Sequence, residues 1–450
     1  MTDTLAGRVG PHRWRRSGSE RATFGRLRDI GPLAWTLSRA GGAITGGRRV
    51  HAIEAIGLVP GMLKFYGLYF GYVNSLSRLT RTDSELVILR TAWNCGAYYE
   101  WYHHVFVSRL GGLSVEDVAR VGAGPSADGW SPRQRAVLTA VDDLTAHRLI
   151  SDDTWTVLRG HYDHRQLTDL CLLVGNYAML AMLLNSLGIR AEADAWRTGP
   201  LGRLRRGADV GGVLIGGAEA SSPGGAAVVH ARTKPRLPEP NSTDGVLSRL
   251  RTAPHFAAAG VDRIALGAFR DVGPLTWTLS RLGGFCTGTG RVEAGDAIGM
   301  DPRMMRHYLP FALKLVLGSH LSRRDTELAT LRITWNSGIR YEWLYHAHFS
   351  RISGVDVPTV ERVAIGPAAP EWRDRERALL TAVDELHADR FITDGTWARL
   401  REHYTDRKLA ALCLLVGHYD MIGMLFRSYG VEPEPGIFER GPLRWLRGGA

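Results

Sequence analysis

The stretch ELVILRTAWNCGAYYEWYHH, residues Glu85–His104, decides the fold because the chain contains it twice. Residues Glu327–His346 read ELATLRITWNSGIRYEWLYH. The two stretches align without a gap at an offset of 242 residues and are identical at 11 of 20 positions. Positions kept in both copies are candidates for a shared fold or a shared chemistry, and positions that differ show where the copies have diverged.

The repeat extends well beyond this stretch. RDIGPLAWTLSRAGG at Arg28–Gly42 matches RDVGPLTWTLSRLGG at Arg270–Gly284. A period this long indicates a domain duplication rather than a solenoid, and each copy is long enough to bury its own core. We therefore predict four segments: an Arg-rich tail (1–24), a first domain (25–208), a Gly/Pro/Ser-rich linker (209–250) and a second domain (251–450).

The periodicity within each copy is helical. SPRQRAVLTAVDDLTAHRLI and its counterpart DRERALLTAVDELHADRFI carry apolar residues at three- and four-residue spacing. TDLCLLVGNYAMLAMLLNSLGI is apolar on nearly all sides, which predicts a buried central helix. Helix stops are predicted at Gly188 and Gly430 and helix caps at Ser114 and Asp356. No alternating pattern of useful length indicates a strand, so the predicted fold class is all-α, with two tandem helical domains.

Composition excludes several classes of function. The net charge is +11, but the basic residues are almost all Arg and are spread along the chain, so we expect no nucleic-acid partner. The four cysteines form no CxxC pair and do not resemble a secreted disulfide framework. No signal peptide and no membrane span are evident, so a cytoplasmic protein without a membrane partner is expected.

A Glu and a His recur at the centre of the repeat. Tyr99-Glu100-Trp101-x-x-His104 returns as Tyr341-Glu342-Trp343-x-x-His346. A Glu and a His four residues apart share one helix face, where the carboxylate can orient the imidazole and raise its basicity. Such a pair can serve as a general acid and base. The alternative is a surface pair of little energetic consequence.

A second acid precedes each pair by fifteen residues, namely Glu85 or Glu327. If antiparallel helices carry the two segments, this acid joins the same pocket. A capping box at Thr82–Glu85 would instead turn Glu85 toward the backbone. Position 324 is Arg in the second copy, so the Thr of that box is missing there although Glu327 remains, and Asp325 would have to cap.

The arrangement E-x14-E-x3-H, with Leu-Arg after the first Glu and Tyr-Glu-Trp around the second, resembles the carboxymuconolactone decarboxylase and AhpD-like family. The resemblance covers residues 50–190 and 290–432 and implies an all-helical fold that assembles as trimers or hexamers. The peroxidase branch uses a redox CxxC with an upstream Glu and a following His as a proton relay. By this resemblance the relay residues are Glu85 with His104 and Glu327 with His346.

The family's two cysteine positions are occupied by other residues, namely Ala97 and Glu100 in the first copy and Ile339 and Glu342 in the second. Thiol peroxidase chemistry requires a thiolate, and Cys95 lies two residues from the expected place. The Glu-for-Cys pattern resembles the decarboxylase-like branch, whose members act on small carbonyl or lactone acids without a cofactor. The predicted catalytic residues are Glu100, His104, Glu85, Glu342, His346 and Glu327.

The copies differ around this motif, and the second carries more ionisable groups. Arg340 is suited to bind a substrate carboxylate. We predict a substrate-binding set of Tyr99, Trp101, Tyr341, Trp343, Arg340, Tyr345, His348 and His418. If one copy alone is active, the second is favoured. A metal site at Glu342, His346 and His418 is the competing interpretation, although no metal or cofactor is predicted.

The sequence thus predicts a lyase- or isomerase-type enzyme that uses Glu/His acid–base chemistry for decarboxylation, isomerisation or cyclisation of a small organic substrate. One alternative is a catalytically silent oligomeric scaffold or binding protein. Others are a metal-dependent enzyme or a specialised biosynthetic enzyme. We expect the two copies to pair with each other, and the chains to form a homo-oligomer, either a trimer or a hexamer-like ring.

Overall fold

The computed structural model describes residues 25–202, 268–318 and 320–447, together with Trp14, Arg21, Phe256 and Arg263. Over these residues the chain forms 18 α-helices and no β-strand, which confirms the all-α prediction. Most of the predicted tail and the whole predicted linker lie outside the described residues.

In its described residues the first half contains nine α-helices, interrupted by one short π-helix and one 3₁₀ turn. They are α1 (Leu27–Thr45), α2 (His51–Gly57), α3 (Met62–Gly71), the π-helix (Tyr72–Leu76), α4 (Arg81–Asn94), α5 (Tyr98–Val107), the 3₁₀ turn (Ser108–Gly111), α6 (Val115–Ala123), α7 (Pro132–His147), α8 (Asp152–Arg159) and α9 (His164–Leu187).

The second half repeats this order. Its helices are α10 (Phe269–Thr287), α11 (Glu293–Ile298), α12 (Pro302–Leu317), α13 (Arg323–Asn336), α14 (Arg340–Phe349), a 3₁₀ turn (Ser350–Ser353), α15 (Val357–Ile365), α16 (Asp374–Asp389), α17 (Asp394–Arg401), α18 (Asp406–Tyr429) and a 3₁₀ turn (Arg444–Arg447). Apart from α12, each helix starts 242 residues after its counterpart, so the sequence repeat is also a structural repeat.

The start of α4 decides what Glu85 can do. Thr80 is the N-cap, and its hydroxyl accepts a hydrogen bond of 3.1 Å from the Asp83 backbone N–H. The capping box predicted at Thr82–Glu85 is therefore wrong, because the helix begins two residues before that box would place its start. Ser322 caps α13 in the same way. In both halves the upstream Glu is left available for contacts with other helices.

The other predicted helix boundaries are confirmed. Ser114 and Asp356 are the N-caps of α6 and α15, and their side chains accept hydrogen bonds from backbone N–H groups in the first turn. Gly188 and Gly430 end the two long helices with φ of 69°, a left-handed conformation that favours glycine.

The long helices α9 and α18 pack against each other at the centre of the molecule. Gly175 faces Met421, and Gly417 faces Met179. A Cβ atom at either glycine would lie within 2.4–2.5 Å of the methionine Cγ. Both glycines are therefore required for this close approach. The contact joins the two copies, and one hydrophobic core runs through both halves.

Both central helices are long and apolar enough to cross a membrane by length and composition alone. Their apolar windows are entirely buried inside the protein. The core helix of a globular protein passes the same test, so these helices are weak evidence for a membrane span, and cellular location stays a prediction.

Polar contacts also join the halves. Arg148 of the first half and Arg390 of the second each place a guanidinium nitrogen 3.1 Å from the Asp420 carboxylate on α18. Burial alone would raise the pKa of Asp420, but the two Arg charges hold it well below its ordinary range. The equivalent residue on α9 is Ala178, so a single acid neutralises both arginines. Independent folding of each half stays a prediction.

Candidate functional site

Three helices of the first half bring together a chain of hydrogen-bonding side chains. His104 on α5 places Nδ1 2.7 Å from Glu85 Oε2 on α4. Its Nε2 lies 3.1 Å from the Tyr177 hydroxyl on α9, and that hydroxyl donates to Asn74 Oδ1 at 2.6 Å. The Asn74 amide donates to the Phe70 carbonyl, which fixes its orientation. Tyr177 has one proton, already given to Asn74, so it accepts from His104 Nε2–H.

Glu100 lies on the same helix as His104 but forms no hydrogen bond with this series of side chains. No neighbouring residue in the described part of the molecule donates a hydrogen bond to either carboxyl oxygen. The residue is 4% exposed, and burial raises the pKa of Glu100 to about 8. At neutral pH it is therefore a carboxylic acid, which can donate a proton rather than remove one.

The second half builds the same chain with different ends. His346 Nδ1 lies 2.8 Å from Glu327 Oε2, and its Nε2 lies 3.0 Å from the Tyr419 hydroxyl. The residue equivalent to Asn74 is Val316, which has no acceptor in its side chain. Tyr419 therefore keeps its proton available for donation, whereas Tyr177 gives its proton to Asn74.

The second half also places the motif Glu near the imidazole. Glu342 Oε2 lies 3.7 Å from His346 Nε2. Burial raises the pKa of Glu342, against the attraction of His346. Burial alone would lower the pKa of His346, but the charge and hydrogen bond of Glu327 outweigh it, so this pKa lies above its ordinary value. The pKa values of both neighbouring groups thus lie above their ordinary values.

The upstream acids, Glu85 and Glu327, differ in how many cations they pair with. Glu85 Oε1 also pairs with Arg81 Nη2 at 2.9 Å, so its charge is shared between two cations. The equivalent Arg323 donates instead to the carbonyls of Val316 and Leu317. The Glu327 charge is therefore directed mainly at His346.

The tyrosines of the motif are engaged elsewhere. Tyr99 donates to Glu192 at 2.9 Å, while Tyr341 and Tyr345 both donate to Glu434 at 2.9 and 2.7 Å. Both acids lie in the segments that follow the central helices. Neighbouring residues on a helix point in different directions, so these tyrosines support the packing of those segments and are not part of the Glu–His chain.

The other predicted substrate contacts also have structural roles. Trp101 packs on Trp93, with ring centroids 5.2 Å apart. Trp343 packs on Trp335 at 5.0 Å, so both motif tryptophans belong to the core.

Three polar side chains remain from the predicted substrate set. Arg340 pairs with Glu432 at 2.8 Å, and the His348 ring meets Phe438. His418 Nε2 lies 2.7 Å from the Tyr308 hydroxyl. Burial lowers the pKa of His418 to about 3, so this imidazole is neutral. Of the three, His418 alone lies on α18 directly before Tyr419, a residue of the Glu–His–Tyr chain.

Sequence reasoning missed Tyr177, Tyr419 and Asn74. The signal for the two tyrosines was present, because VGNYAM and VGHYDM keep the Tyr at the 242-residue offset. Nothing local could have indicated Asn74, since it meets Tyr177 only after the π-helix packs on α9.

The described residues assemble neither a metal site nor a reactive thiol. Among the described residues, no three His, Cys, Asp or Glu side chains converge in a way that could hold a metal ion, including Glu342, His346 and His418. Cys95 is buried, and burial raises the pKa of its thiol against the opposing charge of Arg390.

Comparisons with known proteins give no further guidance: no family model, no curated protein and no solved structure matches this chain.

Proposed function

We propose that this protein is a carboxymuconolactone decarboxylase-like enzyme that uses acid–base chemistry on a small carbonyl or lactone-type organic acid. The observation that carries the proposal is the second half's proton-transfer pair, in which Glu342 lies 3.7 Å from His346 Nε2 while Glu327 holds Nδ1. Two partly buried acids that contact one imidazole in unequal environments can divide the roles of proton donor and charge stabiliser.

In the proposed decarboxylation, the substrate carboxylate leaves as CO₂ and its bonding electron pair remains on the adjacent carbon. Glu342 donates its proton to that carbon. The resulting Glu342 carboxylate takes a proton from the His346 imidazolium, and solvent reprotonates His346. Glu327 stabilises the imidazolium before the transfer and after reprotonation. Isomerisation or cyclisation uses the same pair, with the base and acid steps in the opposite order.

The first half is proposed to be the weaker site. Tyr177 gives its proton to Asn74, so His104 Nε2–H is held on the Tyr177 hydroxyl, and Glu85 is shared with Arg81. No contact within ion-pair distance joins His104 to Glu100 in the described structure. Proton transfer between these two residues would first need them to move closer together.

The test is an assay of CO₂ release from 4-carboxymuconolactone and from oxaloacetate, a β-keto acid, by the purified full chain in the presence of a chelator. Turnover of either probe that disappears in the Glu342→Gln/Glu100→Gln double variant supports the proposal. The helical circular dichroism signal must be unchanged in that variant. Full turnover in the folded double variant would contradict the assignment.

A catalytically silent scaffold is the second candidate, and one observation favours it. The His104 and His346 side chains are only 14% and 12% exposed, which leaves little surface for a substrate to reach. A scaffold would turn over neither probe, and the double variant would differ from the parent in stability alone.

A further inference from the structure

The second half contains a cleft that the acid–base site does not use. It has a volume of about 500 Å³ and lies between the end of α10, the start of α11 and the segment after α18. Its lining comprises Arg281, Gly288, Thr289, Gly290, Arg291, Glu293, Glu434 and Pro435.

One cation in this cleft lacks a partner. Arg281 Nη1 is buried and has no hydrogen-bond partner in the described part of the chain. The Arg281 guanidinium stands over the Trp277 ring, 4.9 Å from its centroid, which limits its freedom. A buried guanidinium N–H without an acceptor costs free energy, so the site favours a ligand that supplies an anionic oxygen.

The first half shows how the same position is satisfied internally. Arg39, the counterpart of Arg281, lies 3.5 Å from Glu54 and donates to the carbonyls of Trp35 and Gly25. The counterpart of Glu54 is Asp296, one methylene shorter. Asp296 forms an ion pair with Arg291 at 3.9 Å but lies beyond ion-pair distance of Arg281. Burial raises the pKa of Asp296, against the Ser280 hydroxyl and the charges of Arg291 and Arg281, so Arg281 acts on it only at longer range.

Other differences enlarge the space around this cation. Arg48 and Ile53 of the first half correspond to Gly290 and Gly295. A Cβ at Gly290 would meet no atom within 4 Å. The second half therefore has a shorter acid near the Arg and lacks the side chains of Arg48 and Ile53.

The acids of the cleft are already engaged. Glu293 pairs with Arg291 at 2.8 Å, and Glu434 accepts from Tyr341, Tyr345 and the Glu293 backbone N–H. Among the described residues they leave Arg281 without an ion pair or hydrogen bond to Nη1. They would also repel a dianion such as phosphate, whereas a single carboxylate can form a two-point hydrogen-bonded pair with a guanidinium.

We propose that this cleft is a binding site for a small organic monocarboxylate, with Arg281 as its anchor, present in the second half and absent from the first. The site is independent of the acid–base function. The shortening of Glu54 to Asp296 creates it, because the ligand carboxylate replaces the one that pairs with Arg39 in the first half.

The experiment is calorimetric titration of the full chain with benzoate, alongside benzamide, its uncharged analogue, and inorganic phosphate. We expect benzoate to bind once per chain, with benzamide and phosphate at least about tenfold weaker. Arg281→Gln should weaken benzoate binding by about tenfold or more, whereas Arg39→Gln, the matched change in the first half, should not alter it.

The sharpest variant is Asp296→Glu, which adds one methylene and keeps the charge. It should let the carboxylate reach Arg281 and abolish benzoate binding. Glu342→Gln should leave binding unchanged, which separates this site from the proposed catalytic one. Equal binding of benzoate and benzamide, or retention of benzoate binding in folded Asp296→Glu and Arg281→Gln, would overturn the proposal.

Discussion

The two halves carry the same Glu–His–Tyr chain but end it differently. In the first, Tyr177 gives its proton to Asn74, and His104 Nε2 is held as a donor. In the second, Val316 replaces Asn74, and Nε2 of His346 lies 3.7 Å from Glu342. The difference shows that keeping the Glu and His of a motif does not keep their connection, which depends on residues contributed by other helices.

The largest effect is expected on turnover, when the two motif acids, Glu342 and Glu100, are each replaced by glutamine. Glu342→Gln should lower kcat by about 10²–10⁴-fold, the usual contribution of a positioned acid. Glu100→Gln should lower it less than about tenfold, because Glu100 has no contact with its His. The kcat of each variant is measured with a decarboxylation substrate. Equal losses of kcat in the two variants would contradict the proposal that the second half is the more active site.

The next effect concerns stability at the contact between the halves. Asp420→Ala should destabilise the fold by about 3–5 kcal/mol, because it leaves Arg148 and Arg390 buried without a counter-charge. Urea unfolding at pH 7 measures this. Ala178→Gly, at the matched position of the first half, controls for substitution on a central helix and should cost about 1 kcal/mol.

Asp420 should also make the free energy of unfolding depend on pH in the acid range. Its pKa is lowered in the folded state, so its stabilising effect is present above the pKa of an unfolded Asp, about 3.9, and is lost as pH falls below that value. Unfolding free energies measured between pH 5 and pH 2.5 should therefore fall more steeply in the parent than in Asp420→Ala. Parallel curves would show that Asp420 is not the acid-sensitive group.

Glu100 should give the free energy of unfolding the opposite pH dependence. Its pKa is raised in the folded state to about 8, so the unfolded chain binds fewer protons than the folded one between pH 4.5 and 8. Its contribution to stability is therefore lost as pH rises, by up to about 1.4 kcal/mol per pH unit. Glu100→Gln should flatten that part of the stability profile. An infrared carboxylic acid signal that titrates near pH 8 in the parent alone would locate the proton.

The smallest effect is expected from converting one hydrogen-bond chain into the other. Asn74→Val should remove the acceptor of the Tyr177 proton, as Val316 does for Tyr419, so that Tyr177 can donate to His104 Nε2 when that nitrogen carries no proton. The stability cost should be only about 1 kcal/mol, because Tyr177 finds a new acceptor. Nitrogen NMR shifts of the His104 ring report the change, and a ring unaffected by the substitution would show that Asn74 does not control it.

The sequence predicted the fold class and the central helices because their signals are local: apolar spacing, capping residues and terminal glycines. It also associated Glu85 with His104, through the repeat and the family resemblance. It could not predict that Tyr99 and Tyr341 turn toward Glu192 and Glu434. Those acids are 93 residues away along the chain and meet the tyrosines only after the segments beyond the central helices fold back.

The capping interpretation of Glu85 failed for a different reason. A Thr three residues before a Glu fits a capping box, but Thr80 also fits an N-cap and makes the observed bond to Asp83. Local patterns allowed two helix starts, and the packing of α4 selected one. The same limitation applies to Arg281, whose missing partner becomes visible only beside the paired Arg39.

The most direct test of the proton-transfer pair is an NMR titration of the His104 and His346 rings. It compares the parent, Glu342→Gln and Glu100→Gln, each with selectively labelled histidine. We predict that His346 titrates above the ordinary pKa of a histidine and that Glu342→Gln shifts its midpoint downward. The signals of His104 should be unchanged by Glu100→Gln. A His346 midpoint unaffected by Glu342→Gln would contradict the proton-transfer pair on which the proposed function rests.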